Sequence, residues 1–200
     1  MPTPDKKQEI LKAASDCFAH YGYDKTTLDD IGRMVGLNKA SLYHYYKNKE
    51  SIFTEVIFFE AEEFICKVIK EVEKVEGCEE KILSYLTKRL DYIRSTVNLH
   101  KLTLGSVNTV KPLIDELYER IMDKEADYLS QIMDACIKKG EIADCDTVKV
   151  TKSILTITEA IKNRTARNVD CNIISDVNYT GIVSEVVFTV SLILEGLKAR

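Results

Sequence analysis

The 200-residue chain reads as an all-α protein: a three-helix helix-turn-helix domain, then a larger helical body, about nine helices in total. Three observations predict this. Apolar residues recur at helical spacing along most of the chain, and glycines interrupt that rhythm where a helix should stop. Turn formers are scarce, with 8 Gly and 3 Pro. A many-stranded sandwich or barrel would need turn signals every 8–12 residues or so.

The elements follow in order. Thr3 can cap and Pro4 suits a first helical position. Ile10, Leu11, Ala14, Cys17 and Phe18 form one apolar face, and Gly22 closes the helix. Thr27 followed by Asp30 resembles a capping box, and opens a second helix that turns Leu28, Ile31 and Val35 inward and ends at Gly36. The third helix is short, from Asn38 to about Tyr45. Asn48 caps a fourth that runs through Ile52, Phe53, Val56, Ile57 and Phe64 to about Val75, before Gly77. A fifth spans Cys78 to about Val97. The stretch Asn98–Lys111 is less regular, with room for a short helix ending before Pro112. A long helix then carries Leu113, Leu117, Ile121, Leu129, Ile132 and Ile137 and stops at Gly140. Another spans Thr147 to about Arg167, Asn168–Asp176 reads as a loop, and a very apolar helix runs from about Val177. The domains divide near Asn48, into 1–47 and 48–200.

Composition narrows the class. No apolar run was expected to reach the roughly 18–20 residues of a membrane span, and no signal-peptide core follows Met1–Lys7. The expected compartment is therefore the cytoplasm, with no membrane partner. The formal charge of -4 looks wrong for a nucleic-acid binder. Its distribution does not, because the window Ile31–Lys49 holds Arg33, Lys39, Lys47 and Lys49 and no acid. A small basic island sits on an acidic chain. The cysteines 17, 66, 78, 136, 145 and 171 form no C-x-x-C, and no pair has zinc-like spacing with His20, His44 or His100. Scattered cysteines in a cytoplasmic chain read as buried small hydrophobes; a redox pair among Cys136, Cys145 and Cys171, or a metal site, is the competing reading. No metal and no cofactor is expected.

Helix, glycine turn and short helix over Thr27–Tyr46 have the size of a DNA-binding helix-turn-helix. The second helix of such a unit presents its N-terminal residues to base edges in the major groove. Here these are Asn38, Lys39, Ala40 and Ser41. Asn and Lys donate to base edges, Ser does so weakly, and Ala leaves room for a thymine methyl. Tyr43 and Tyr45 offer hydroxyls, and Lys47 and Lys49 offer charge to phosphates. Thr27 and His44 complete the DNA-binding candidates. On spacing alone, a helical corner with solvated lysines is an equal reading.

The literal sequence goes further. Thr26-Thr27, Ile31-Gly32, Val35-Gly36-Leu37-Asn38-Lys39-Ala40-Ser41-Leu42-Tyr43-His44-Tyr45-Tyr46 and Lys49-Glu50 closely resemble the signature of the TetR family of transcriptional regulators, as do Ala13-Ala14, Phe18 and Tyr21-Gly22-Tyr23 upstream. The departures are mild. Gly32 replaces a usual Ala, which was expected to loosen its helix by up to about 1 kcal/mol; Ala40 replaces a common Gly or Pro, and Tyr46 a common Phe. The resemblance implies a ligand-responsive regulator, most often a repressor. It implies a homodimer on double-stranded palindromic DNA, with half-sites about one helical turn apart or a multiple. It also implies a small-molecule effector pocket in the C-terminal helices, with the last two helices forming the dimer interface.

Residues 177–197 are apolar on more than one face, where a lone surface helix shows one stripe. A dimer interface or an internal core would bury the excess. Tyr85, Arg89 and Tyr92 share a helical face offset from Leu86, Leu90 and Ile93. That face is either solvated or a polar patch in an apolar cavity, where Arg89 could pair with an anionic ligand. Tyr118 and Met122 could line the same space, whereas Phe58, Phe59 and Phe64 read as core. No G-x-S-x-G, phosphate-binding glycine loop or H-E-x-x-H occurs, so no catalytic residue is expected. A helical adaptor that binds only protein is the other rival, and the donors at 38, 39, 41, 43 and 49 argue against it.

Overall fold

A computed structural model describes residues 4–100, 104–167 and 179–199. These form α1 (Pro4–Tyr21), α2 (Leu28–Met34), α3 (Lys39–Tyr43), α4 (Lys49–Val72), α5 (Cys78–Leu99), α6 (Leu104–Lys138), α7 (Thr147–Arg167) and α8 (Tyr179–Leu197). Among the described residues there is no strand, only an isolated bridge between Ile142 and Lys198. Among the described residues the helices number eight rather than about nine, because Pro112 lies inside α6 instead of separating two helices. Proline removes one N–H and crowds the carbonyl four residues back, at about 3 kcal/mol. That cost is local, whereas Ala126, Leu129, Met133 and Cys136 are buried along the rest of the helix. The expected loop at 168–176, the cap at Thr3 and Cys171 lie outside the described residues.

The described residues divide into two compact units. The first takes 4–63, 95–100 and 104–118; the second takes 64–94, 119–167 and 179–199. In the first, Ile10, Ala14, Cys17 and Phe18 of α1 pack with Ile31 of α2, Leu42 of α3, and Ile52, Phe53 and Val56 of α4. The Phe18 and Phe53 rings meet edge to face at 5.1 Å, a favoured aromatic geometry. Buried His100 packs edge-on to both rings, and its Nε2 lies 2.8 Å from a Glu60 carboxylate oxygen. Glu60 also accepts from the Ser15 hydroxyl at 2.6 Å. His100 is therefore part of this core.

The second unit buries Ile82, Leu86 and Leu90 of α5 against Ala126, Leu129 and Met133 of α6, Ile154 and Leu155 of α7, and a stripe of α8. That stripe is Tyr179, Ile182, Val186, Val190 and Leu194. It recurs every three or four residues, so the β-branched content of α8 does not prevent helix: its valines pack on one face. α8 also corrects an expectation. Over its 19 residues it is long and apolar enough, by length and composition, to cross a membrane. Apolar residues on its outer side, added to the core stripe, carry it past the threshold. Cys78 and Cys136 meet in this core, and burial pushes both thiols up.

Candidate nucleic-acid interface

The helix-turn-helix is built from its caps. Thr27 Oγ1 accepts the Asp30 backbone N–H at 3.2 Å, and Asp30 accepts the Thr27 backbone N–H at 3.0 Å. This is the capping box expected at α2. The Thr27 hydroxyl and backbone N–H hold the Asp30 carboxyl below the ordinary carboxylate range, with a smaller contribution from Arg33. Gly36 then adopts a φ of 66°, a left-handed turn that favours glycine. The Leu37 N–H returns to the Gly32 carbonyl at 2.9 Å. A Cβ on Gly32 would lie 2.5 Å from the Leu37 carbonyl oxygen. Glycine here permits a close backbone approach, which the expectation of a loosened helix overlooked.

Asn38 caps α3, its side-chain oxygen accepting the Ser41 N–H at 2.8 Å. The cap uses the acceptor and leaves the amide NH2 as the side chain's donor. Leu42 is buried beneath α3, and buried Tyr46 donates its hydroxyl to Glu55 at 3.0 Å. These two residues fix which face of α3 turns outward. Asn38, Lys39, Ala40, Tyr43 and His44 are exposed on it, and Ser41 and Tyr45 are half-buried. Lys47 is exposed beyond the helix.

The Lys49 ammonium donates to the carbonyls of Tyr23 at 2.8 Å and Thr26 at 3.1 Å, and lies 4.4 Å from the centre of the Tyr23 ring. It closes the α1–α2 turn from α4, a structural role the sequence did not suggest. Arg33, in the basic island, is exposed but paired with Asp30 at 3.0 Å.

In the second unit, Tyr85 and Arg89 converge on Glu125, a residue the sequence reading missed, and the Met122 sulfur lies 3.8 Å from Arg89 Nη2. Arg89 Nε donates to both Glu125 oxygens at 2.8 and 2.9 Å, and the Tyr85 hydroxyl donates to Oε1 at 3.0 Å. Burial and the Glu125 charge push the Tyr85 phenol up. Glu159 lies 3.5 Å from Arg89 Nη1 and pairs with Lys162, whose ammonium burial pulls down. Tyr92 stacks on Phe64 with centroids 4.2 Å apart. Tyr118 falls in the first unit. With Tyr85 at 0% and Arg89 at 3% exposure, the solvated-face reading is overturned. The reading of Arg89 as a partner awaiting an anion changes too, because two carboxylates already meet its charge. The Glu159–Lys162 pair at i, i+3 was a readable hint; Glu125 gave none.

A capped α2, a glycine turn and a short α3 with a donor-bearing outer face define a helix-turn-helix DNA-binding protein. Residues 10–56 match the model of the bacterial regulatory proteins, tetR family. The chain is 26% identical over 148 residues to the HTH-type transcriptional regulator YhgD of Bacillus subtilis, 71% of this chain and 74% of that one. It is 47% identical over 51 residues to the icaADBC biofilm operon negative transcriptional regulator IcaR of Staphylococcus epidermidis. That match spans 26% of this chain and 28% of IcaR. A transcriptional regulator from Cytophaga hutchinsonii shares the fold at a TM-score of 0.79 and 24% identity, over 96% of this chain and 98% of that one. Residues 10–56 therefore carry a tetR-type DNA-binding segment, and the chain is similar to transcriptional regulators over most of its length.

Proposed function

We infer that the protein is a cytoplasmic, ligand-responsive repressor that binds a palindromic operator as a homodimer and leaves it when a small molecule occupies the C-terminal helical domain. The observation that carries this is the outer face of α3, where Lys39, Ala40, Tyr43 and the Asn38 amide stand exposed while Leu42 and Tyr46 anchor the helix from behind. Lys39, Asn38 and Ser41 supply base contacts, Tyr43, Tyr45 and His44 flank them, and Lys47 serves phosphates. The naming of IcaR as a negative regulator supports the repressor reading. α8 supports the dimer: Phe188 and Leu192, one turn apart, are 66% and 59% exposed on the side opposite its buried stripe. The effector contacts would come from Tyr85, Arg89, Tyr92 and Met122. Since Glu125 already neutralises Arg89, the cluster suits a largely apolar effector with an uncharged hydrogen-bonding group better than a bare anion. Effector binding can shift DNA affinity only by its differential affinity for the two states, and α4 is the helix expected to carry that shift to the DNA-binding domain.

The test is selection of bound duplexes from a random-sequence pool by purified protein at near-physiological salt. A palindromic consensus is the expected result. Salt-sensitive binding without a consensus would reduce the reading to generic phosphate contact.

A further inference from the structure

Cys78 is far in sequence from Cys136 and Glu141, which lie five residues apart, yet each of the three can place a ligand atom within 4.8 Å of the other two. Both cysteines are more than nine-tenths buried, while Glu141 reaches them from the exposed side. Three local features create the meeting. Gly77, at a φ of 84°, ends the preceding turn so that Cys78 is the first residue of α5. Cys136 lies on the last turns of α6. Gly140, at a φ of 74°, reverses the chain, and the Glu141 N–H returns to the Cys136 carbonyl at 3.0 Å. The Ile142–Lys198 bridge and the Ala143 N–H to Leu197 carbonyl bond at 2.7 Å pin the same turn.

A cavity of about 200 Å³ opens beside Cys78 and Glu141. Glu79 and Glu80 also line it; Glu79 lies 3.6 Å from Lys198, and Glu80 folds over Gly77, its oxygen 2.0 Å from where a Cβ would stand. The site therefore offers two sulfurs, one carboxylate, an acidic mouth and a path from solvent.

We propose that Cys78, Cys136 and Glu141 form a binding site for a thiophilic divalent cation of the zinc type, with the fourth position open to the cavity. The distances suit it. At a metal–sulfur distance of about 2.3 Å, the edge of a tetrahedral site is about 3.8 Å, so the ligands need little closure. Two sulfurs select a zinc-type ion over magnesium or calcium, which take oxygen. On binding, the metal forms bonds to both sulfurs and to a Glu141 oxygen, and the two thiol protons leave to solvent. The bound ion would tie the start of α5 to the end of α6 and the turn after it. This site is distinct from the Glu125 cluster and does not depend on the effector reading.

The experiment is a Co2+ titration of the full-length, reduced protein without oxygen. One equivalent should produce a thiolate-to-cobalt charge-transfer absorption with tetrahedral d–d bands, released by one equivalent of Zn2+. Cys136→Ala should lose the charge-transfer band, and Cys66→Ser, at an exposed cysteine, should keep it. Glu141→Gln, on the exposed side, should fold normally by circular dichroism and bind roughly tenfold more weakly. Absence of the thiolate band in the wild type would overturn the proposal. So would its survival in Cys136→Ala, unchanged affinity in Glu141→Gln, or recovery of Cys78 and Cys136 as a disulfide that binds no metal.

Discussion

Arg89 and Glu125 form a fully buried ion pair in which one guanidinium nitrogen, Nε, reaches both carboxylate oxygens, at 2.8 and 2.9 Å. Such a pair stabilises little against an apolar replacement, but breaking it from one side leaves a charge in a medium that cannot solvate it. Glu125→Ala should therefore cost about 3 kcal/mol, measured by urea unfolding. A loss under about 1 kcal/mol would mean that Glu159 alone satisfies Arg89.

Lys39 is exposed on α3. Lys39→Ala should leave the melting temperature unchanged and weaken operator binding. If Lys39 reads a guanine, it should relax one symmetric base pair by about 1–3 kcal/mol. Competition binding against singly substituted operators measures this, and unchanged affinity and specificity would remove Lys39 from the interface.

Lys47 and Lys49 should separate cleanly. Lys47→Ala should reduce the salt dependence of DNA binding by about one unit of slope and spare stability. Lys49→Ala frees the carbonyls of Tyr23 and Thr26 from their donor, so it should lower the melting temperature of the DNA-binding domain. Equal melting temperatures for the two variants would contradict the structural role given to Lys49.

The capping box should show in acid. Asp30 has a lowered pKa in the folded chain because Thr27 hydrogen-bonds its carboxylate. Its contribution is complete above the ordinary carboxylate range and is lost as pH falls through the depressed value. Thr27→Ala should cost about 1 kcal/mol at neutral pH and progressively less in acid. A penalty that stays constant down to acid unfolding would exclude the linkage.

Phe188→Glu with Leu192→Glu places charge on the outer side of α8 while sparing its buried stripe. Sedimentation should show a folded monomer that binds a half-site weakly. A dimer of unchanged affinity would place the interface elsewhere.

The sequence by itself determined most of the helix pattern, the caps at Thr27 and Asn48, and the glycine stops at 22, 36, 77 and 140, because these are short-range events. A side-chain oxygen meets an N–H within a few residues, and a positive φ is a property of one residue. The helix-turn-helix was legible for the same reason, its whole geometry lying within the span from Thr27 to Tyr46. Only the tertiary structure decided what depends on distant chain segments. It carried α6 through Pro112, spent the Lys49 ammonium on the carbonyls of the α1–α2 turn, gave Arg89 a carboxylate from α6, and set Cys78 beside Cys136 and Glu141. None of these has a periodic or local signature. The first follows from apolar burial along α6; the other three depend on which polar groups and thiols are brought near one another as the helices assemble.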